Sequence, residues 1–405
     1  MNPWRGLGSL PKEAWVLFTV TLINRTGTMV LPFLVLYLTE RLNLSPERAG
    51  LVLVFYGAGA LVTAPLAGKL CDRIGALNVM KASLLLSGAT LFAFPFAKSF
   101  IAIVAVTILL AIVSEAFRPA SAAIVSEAVP SDQRKAAFSL TRLAINLGMS
   151  VGPPVGGFLA ARSFLALFIV DGMTSIIAGI ALAATRWPAK REAATPEMES
   201  RSDSTAPPKR FSALRDRRLL LFLALMIPIE IIFFQAEGAM PLYLVRDLNI
   251  SKSAFGMLLT INTVLIILIE VPLNLAMAQW PHKHAVALGA LLVGAGFGAL
   301  AFATGVWSVA VTVVIWTFGE MIILPSSSAY VADIAPADRR GIYSGLYIAG
   351  FSLAFMVGPW VGLAALERFG ARTLWGSAFV CGCLSATIIL LMRSFGANEA
   401  RAAKS

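Results

Sequence analysis

The sequence predicts an all-α membrane fold, with twelve transmembrane helices in two six-helix halves related by pseudo-symmetry. Three observations carry this. Of the 405 residues, 58% are hydrophobic and only 14% charged, against roughly a quarter charged in soluble domains, and mean hydropathy is +0.80. That leaves too little charge to coat a water-facing surface. The apolar residues fall into runs of the length, about 20 residues, at which a helix crosses the hydrocarbon core. The chain also resembles itself when shifted by 206 residues.

In chain order, the first six spans are expected near 14–38, 49–70, 77–97, 100–127, 134–161 and 164–185. A second six follow near 219–244, 253–278, 285–303, 306–332, 340–366 and 373–392. The stretch from Ala285 to Gly319 has no charge but is too long for one crossing, and Thr304–Ser308 is read as the turn that divides it. The last span, Thr373 to Met392, is wholly uncharged. Residues 186–218 hold Pro188, Pro196, Pro207 and Pro208 among mixed charges, a composition that buries no core, so they form a linker. The organisation is therefore 1–185 as the N-terminal bundle, 186–218 as a cytoplasmic linker and 219–405 as the C-terminal bundle. With both termini inside, the cytoplasmic segments carry 22 Lys and Arg, and the opposite side carries eight. The positive-inside rule gives this orientation in a cell inner (plasma) membrane.

Under the 206-residue shift Tyr37-Leu38 falls on Tyr243-Leu244, Leu42-Asn43 on Leu248-Asn249, and Pro119 on Pro325. Pro130 meets Pro336, Asp132 meets Asp338, and Gly152-Pro153 meets Gly358-Pro359. Two halves in the same orientation follow, with a substrate cavity expected near the middle of the membrane.

Three local patterns carry more specific information. Residues 68–75 read Gly68-x-Leu70-x-Asp72-Arg73-x-Gly75, and Gln279 stands for the acid in the second half. Glu127 with Arg134, and Asp333 with Arg340, flank the next cytoplasmic loop of each half at matching positions. Span 5 carries Gly148-x-x-x-Gly152-Pro153-x-x-Gly156-Gly157, whose small residues allow close helix approach. The first pattern resembles the loop signature of the major facilitator superfamily, and the last resembles that family's antiporter motif. Together with the repeat, the resemblance covers nearly the whole chain. It implies alternating access and a cytoplasmic gate of Gly68, Asp72, Arg73, Gly75, Glu127, Arg134, Asp333 and Arg340 that latches the outward-open state. Span 4 holds Arg118 where drug-exporting members commonly carry Arg, although Ala122 replaces their usual glycine.

A charge at mid-membrane needs a partner or a task. Asn24, Arg25, Glu115, Arg118, Glu230, Glu237 and Glu320 lie at middle depths and are the candidates for proton coupling and the substrate cavity, whereas Arg142, Asp171 and Glu270 lie nearer span ends. Glu115 and Arg118, three apart on one face, can also neutralise each other. A desolvated carboxylate can take up a proton near neutral pH. The expected function is proton-coupled export of lipophilic or cationic small molecules, the partners being substrate, protons and the lipid bilayer around a monomer. A dedicated exporter or importer of one metabolite is the alternative. A channel does not need a gated two-half repeat.

The remaining features exclude other classes. The net charge of +11 does not indicate nucleic acid, because the basic residues lie between apolar spans. Cys71, Cys381 and Cys383 read as small hydrophobes, His282 and His284 as loop histidines rather than metal ligands, and Gly294-x-Gly296-x-Gly298 as helix packing. No catalytic constellation and no cofactor motif occurs, so no enzyme is expected.

Overall fold

The computed structural model describes residues 10–130, 133–185, 187, 215–336 and 339–391. The pairing of Asp132 with Asp338, and most of the 186–218 linker, lie outside these residues. The chain divides into two compact units, Met1–Pro208 with Ser251–Thr263, and Lys209–Ile250 with Val264–Ser405.

Among the described residues the spans are α1 (Lys12–Arg41), α2 (Pro46–Ile74), α3 (Ala76–Phe96), α4 (Phe100–Ala128), α5 (Arg134–Arg162) and α6 (Phe164–Ala184). The second set is α7 (Arg217–Asp247), α8 (Lys252–Ala276), α9 (His282–Phe302) and α10 (Val306–Ile334). One further helix runs from Arg340 to Leu391 over 52 residues, interrupted at Gly370, whose φ is 77°. At 1.5 Å per residue it would be about 78 Å long, more than twice the ~30 Å core, so it is two crossings. We number them α11 (340–369) and α12 (371–391), which brings the count to twelve. The break at Gly305 before α10 is where the sequence places it. α2 bends by 44° between Pro46–Thr63 and Pro65–Ile74, since proline donates no hydrogen bond back to the preceding turn.

The repeat extends to element boundaries. α3 begins at Ala76 and α9 at His282; α4 begins at Phe100 and α10 at Val306; both pairs are 206 apart. Short 3-10 turns close α3 at Phe94–Phe96 and α9 at Leu300–Phe302. α1 and α7 each end in a π-helical turn, Tyr37–Arg41 and Tyr243–Asp247. Each is followed by an asparagine at φ 52°, Asn43 and Asn249, asparagine being one of the few residues that tolerate the left-handed region. In each copy an amide six residues on closes the turn, Leu44 N–H to Leu38 O at 3.0 Å and Ile250 N–H to Leu244 O at 2.9 Å.

The first unit has a continuous apolar core built from one end of each helix. Leu17, Met80, Phe117, Ile124, Leu140 and Leu182 all belong to it. At the opposite end Tyr37 meets Phe168 edge-on at 4.8 Å, and Phe168 stacks on Phe94 at 5.0 Å. In the second unit Tyr243, the repeat partner of Tyr37, packs on Trp375 at 5.5 Å and donates to Leu300 O at 3.0 Å. Large apolar side chains such as Leu86, Ile180, Leu268 and Val380 are more than half exposed, as expected of a surface whose solvent is lipid.

Glycines decide how closely α5 approaches α1. A Cβ on Gly148 would stand 2.4 Å from Arg25 Cβ and 2.8 Å from its carbonyl carbon, whereas one on Gly68 would meet nothing within 4 Å. Gly148→Ala is therefore expected to lower stability by about 1–3 kcal/mol, the usual cost of overpacking, while Gly68→Ala leaves folding unchanged. Thermal unfolding of the purified variants in detergent checks this. Equal melting of Gly148→Ala and the parent protein would contradict the packing account.

Candidate functional site

The first unit contains a cavity of about 720 Å³ of empty space, its open mouth included. It forms where α1 is broken. The α-helix Lys12–Gly27 stops and a second segment starts at Val30. Pro32 lies four residues after Thr28 and donates nothing to its carbonyl, so the ladder of hydrogen bonds fails there. The amides at the start of the second segment must then find acceptors inside the protein, because lipid offers none. Asp171 of α6 supplies one: its Oδ2 accepts from Met29 N–H at 3.1 Å and from Val30 N–H at 3.0 Å. The carboxylate is 7% exposed and sits at a helix N-terminus, where negative charge is favoured.

Around this break the lining is polar. Asn24 donates from Nδ2 to Ser175 Oγ at 3.3 Å. Tyr56 donates its hydroxyl to Glu115 Oε1 at 3.2 Å. Glu115 Oε2 lies 4.0 Å from Arg118 Nη1, but Arg118 is 75% exposed and does not line the cavity. Ser83 and Ser114 spend their hydroxyl protons on Val113 O and Leu110 O, both at 2.6 Å. The Arg25 guanidinium lies 5.5 Å above the Phe117 ring, and its buried Nε has no hydrogen-bond acceptor among the described residues.

The second unit has a smaller cavity of about 260 Å³, at the repeat-related place. Glu230 replaces Asn24, Val293 replaces Ser87, and Ile323 replaces Phe117, each at an offset of 206; Glu320 stands within one residue of the position matching Glu115. The rest of this lining is apolar, with Met226, Phe233 and Phe351. Glu230 is 3% exposed, and its Oε1 has no hydrogen-bond partner among the described residues. Glu237 lies outside this lining, at the break of α7 just before Pro241. That break is held differently from the one in α1. Gln235 Nε2 donates to Ile231 O and Gly358 O, both at 2.8 Å, and its Oε1 accepts from Ala239 N–H at 3.4 Å.

The glycine motif is the surface on which the broken helix rests. Cβ atoms on Gly148, Gly152 and Gly156 would meet Arg25, Thr28 O and Met29 respectively. Gly157 faces the other way, toward Lys252 O, and Pro153 O lies against Gly256, both inside the first unit. In the second unit Gly358 faces Ile231, and Gly362 leaves room for the Gln235 amide. The proline of the motif does not divide α5, which runs unbroken from Arg134 to Arg162.

The predicted gate residues stand at helix ends. Asp72 and Arg73 are exposed in the last turn of α2, and Gly75, at φ 86°, closes that helix. Glu127 is exposed near the end of α4, and Arg134 at the start of α5 donates from Nε to Val129 O at 3.3 Å. Arg340 is exposed at the start of α11. Asp333 lies 3.3 Å from Nε2 of His282, the first residue of α9. The sequence reading places Asp171 near a span end and does not single out Tyr56, Ser83, Ser87, Ser114 or Ser175, which line the cavity with it. The detectable signal was Pro32, four residues beyond a threonine in the first span.

Removing the carboxylate at Asp171 would orphan two buried amides, at a cost of about 1–3 kcal/mol each. Asp171→Leu is therefore expected to unfold at clearly lower temperature than the parent. Asp171→Asn, which keeps one acceptor oxygen, should fall between them. A Leu variant as stable as the parent in thermal melts would remove Asp171 from this role.

Comparison with known proteins adds the following. The family profile described as Major Facilitator Superfamily matches residues 17–243 and 237–404. The MFS-type transporter YqjV of Bacillus subtilis is 26% identical over 92% of this chain and 90% of its own. A Na(+), Li(+), K(+)/H(+) antiporter of Planococcus maritimus is 22% identical over 83% of this chain and 85% of its own. The quinolone resistance protein NorA of Staphylococcus aureus is 26% identical over 42% of this chain and 44% of its own. Among solved structures, the nucleoside transporter NupG superimposes with a TM-score of 0.80 at 12% identity, covering 95% of this chain and all of that one.

Proposed function

The chain belongs to the major facilitator superfamily and is a multi-pass membrane transporter, not an enzyme, and within that family we propose that it exports lipophilic or cationic small molecules in exchange for protons. The observation that carries this reading is Glu230, a carboxylate 3% exposed in an apolar cavity, with one oxygen that accepts no hydrogen bond among the described residues. An uncompensated charge in such a place is costly, and a proton removes it. A group that must be neutral in one state and can be hydrated in another is what a proton-coupled carrier needs. Glu320 lines the same cavity and is the second candidate. The relatives agree with the class: one carries the name of a cation/proton antiporter and another that of a drug-resistance protein. In this reading both termini and the linker are cytoplasmic, Asp72, Arg73, Glu127 and Arg134 belong to the cytoplasmic gate, and the N-terminal and C-terminal bundles exchange access to the two membrane faces. A dedicated exporter or importer of one polar metabolite is the second reading, favoured by the hydroxyl-rich lining of the first-unit cavity.

The test uses proteoliposomes with an imposed pH gradient, and ethidium and norfloxacin as probes. Glu230→Gln is expected to lose gradient-driven uphill transport by at least about tenfold, a loss of roughly 1.4 kcal/mol or more. It should keep counterflow exchange and melt at or above the parent's temperature, since no counter-charge is left unpaired. Uphill transport that survives in both Glu230→Gln and Glu320→Gln would exclude these acids as the coupling site.

A further inference from the structure

We propose that the first-unit cavity is an anion subsite that recognises the carboxylate of a transported compound, with Arg25 as the recognising residue. This rests on reading the cavity as part of the transport route, and it adds to the lipophilic and cationic compounds of that reading those bearing a carboxylate, free or beside a basic amine.

The argument is an account of donors and acceptors. The cavity has two carboxylates near enough to act on Arg25 through space, and the hydrogen bonds of both go to other groups. Asp171 accepts the two amides of the broken helix. Glu115 accepts from Tyr56 and lies beside Arg118. Neither comes within ion-pair distance of Arg25. The guanidinium stands over the face of Phe117, and its buried Nε–H donates to nothing among the described residues. Ser87 lines the same cavity, and its buried Oγ also has no partner among the described residues. Two residues with an orphaned donor, one of them cationic, therefore line one cavity.

Burying an arginine fork without an acceptor is costly, and a planar carboxylate is the group that matches it in shape and charge. The repeat supports the assignment. Under the 206 shift Arg25 becomes Ile231 and Ser87 becomes Val293, so the second-unit cavity lacks both donors and carries the orphaned acceptor Glu230 instead. The two cavities thus differ in what is left without a partner: donors in the first, which an anion would satisfy, and an acceptor in the second, which a proton would satisfy.

Equilibrium binding to the purified full-length protein in detergent, without any gradient, tests this. The probes are benzoate, indole-3-acetate and norfloxacin, each against its own methyl ester. The parent should bind at least one acid about tenfold or more tighter than its ester, in line with hydrogen bonds to charged groups. In Arg25→Gln that ratio should collapse to about one, and Ser87→Ala should reduce it less. Because the ratio is taken within one variant, general destabilisation cancels. Should Arg25→Gln not fold, Arg25→Lys is read instead, and the ratio should drop because a point charge replaces the planar fork. Equal binding of acids and esters by the parent, no binding of any acid, or an unchanged ratio in the variants overturns the proposal. Selective acid binding in a parent that ignores the proton gradient would retire the coupling reading alone.

Discussion

Hydrocarbon accepts no hydrogen bonds, and the structure is arranged around that fact. A transmembrane helix satisfies its own backbone, but a cavity for a polar molecule needs a place where the helix stops. Both α1 and α7 stop near the middle of their spans, and each break has a dedicated repair. In α1 the repair is a carboxylate from another helix, Asp171, and in α7 it is an amide on the same helix, Gln235. The glycines of α5 and α11 then let the repaired segment lie backbone to backbone against its neighbour. The breaks, the glycine motif and the cavities are consequences of one constraint.

The repeat explains why the two cavities are alike, and its lapses explain why they differ. Element boundaries keep the 206-residue offset closely, because capping turns, prolines and helix lengths fix the frame and tolerate little change. Residues that line a cavity face no such requirement. Asn24 has become Glu230, and Arg25 has become Ile231. The first cavity holds an arginine, two acids already committed and a set of hydroxyls. The second holds acids among aromatic and aliphatic side chains. A carrier that moves one solute against another benefits from such a division, since each needs a different neutraliser.

Most of the frame was legible in the sequence. Span positions followed from hydropathy and the repeat, and the turn at Gly305 followed from five residues of weak hydrophobicity. The matching of Asn24 with Glu230 and of Glu115 with Glu320 survives in the cavity linings. What was not legible depends on the break in α1. Asp171 reads as a charge near the end of span 6 until the first helix is known to restart beside it. Arg118 reads as a cavity residue by depth, yet it is not among the residues that line the first-unit cavity, because depth does not determine which face of a helix is presented. The orphaned donors of Arg25 and Ser87 could not be read at all. A sequence lists donors, whereas only geometry shows which of them have found an acceptor.

The central claim is that solute and protons move in opposite directions through this protein. The most direct measurement needs no mutation and no imposed pH gradient. Proteoliposomes holding the parent protein and a trapped pH indicator are given an inward gradient of ethidium or norfloxacin. The account predicts that each probe running down its gradient drives protons outward, so that the lumen becomes alkaline, and that a protonophore abolishes the signal. No change in luminal pH while the probe equilibrates, or acidification in place of alkalinisation, would contradict exchange for protons.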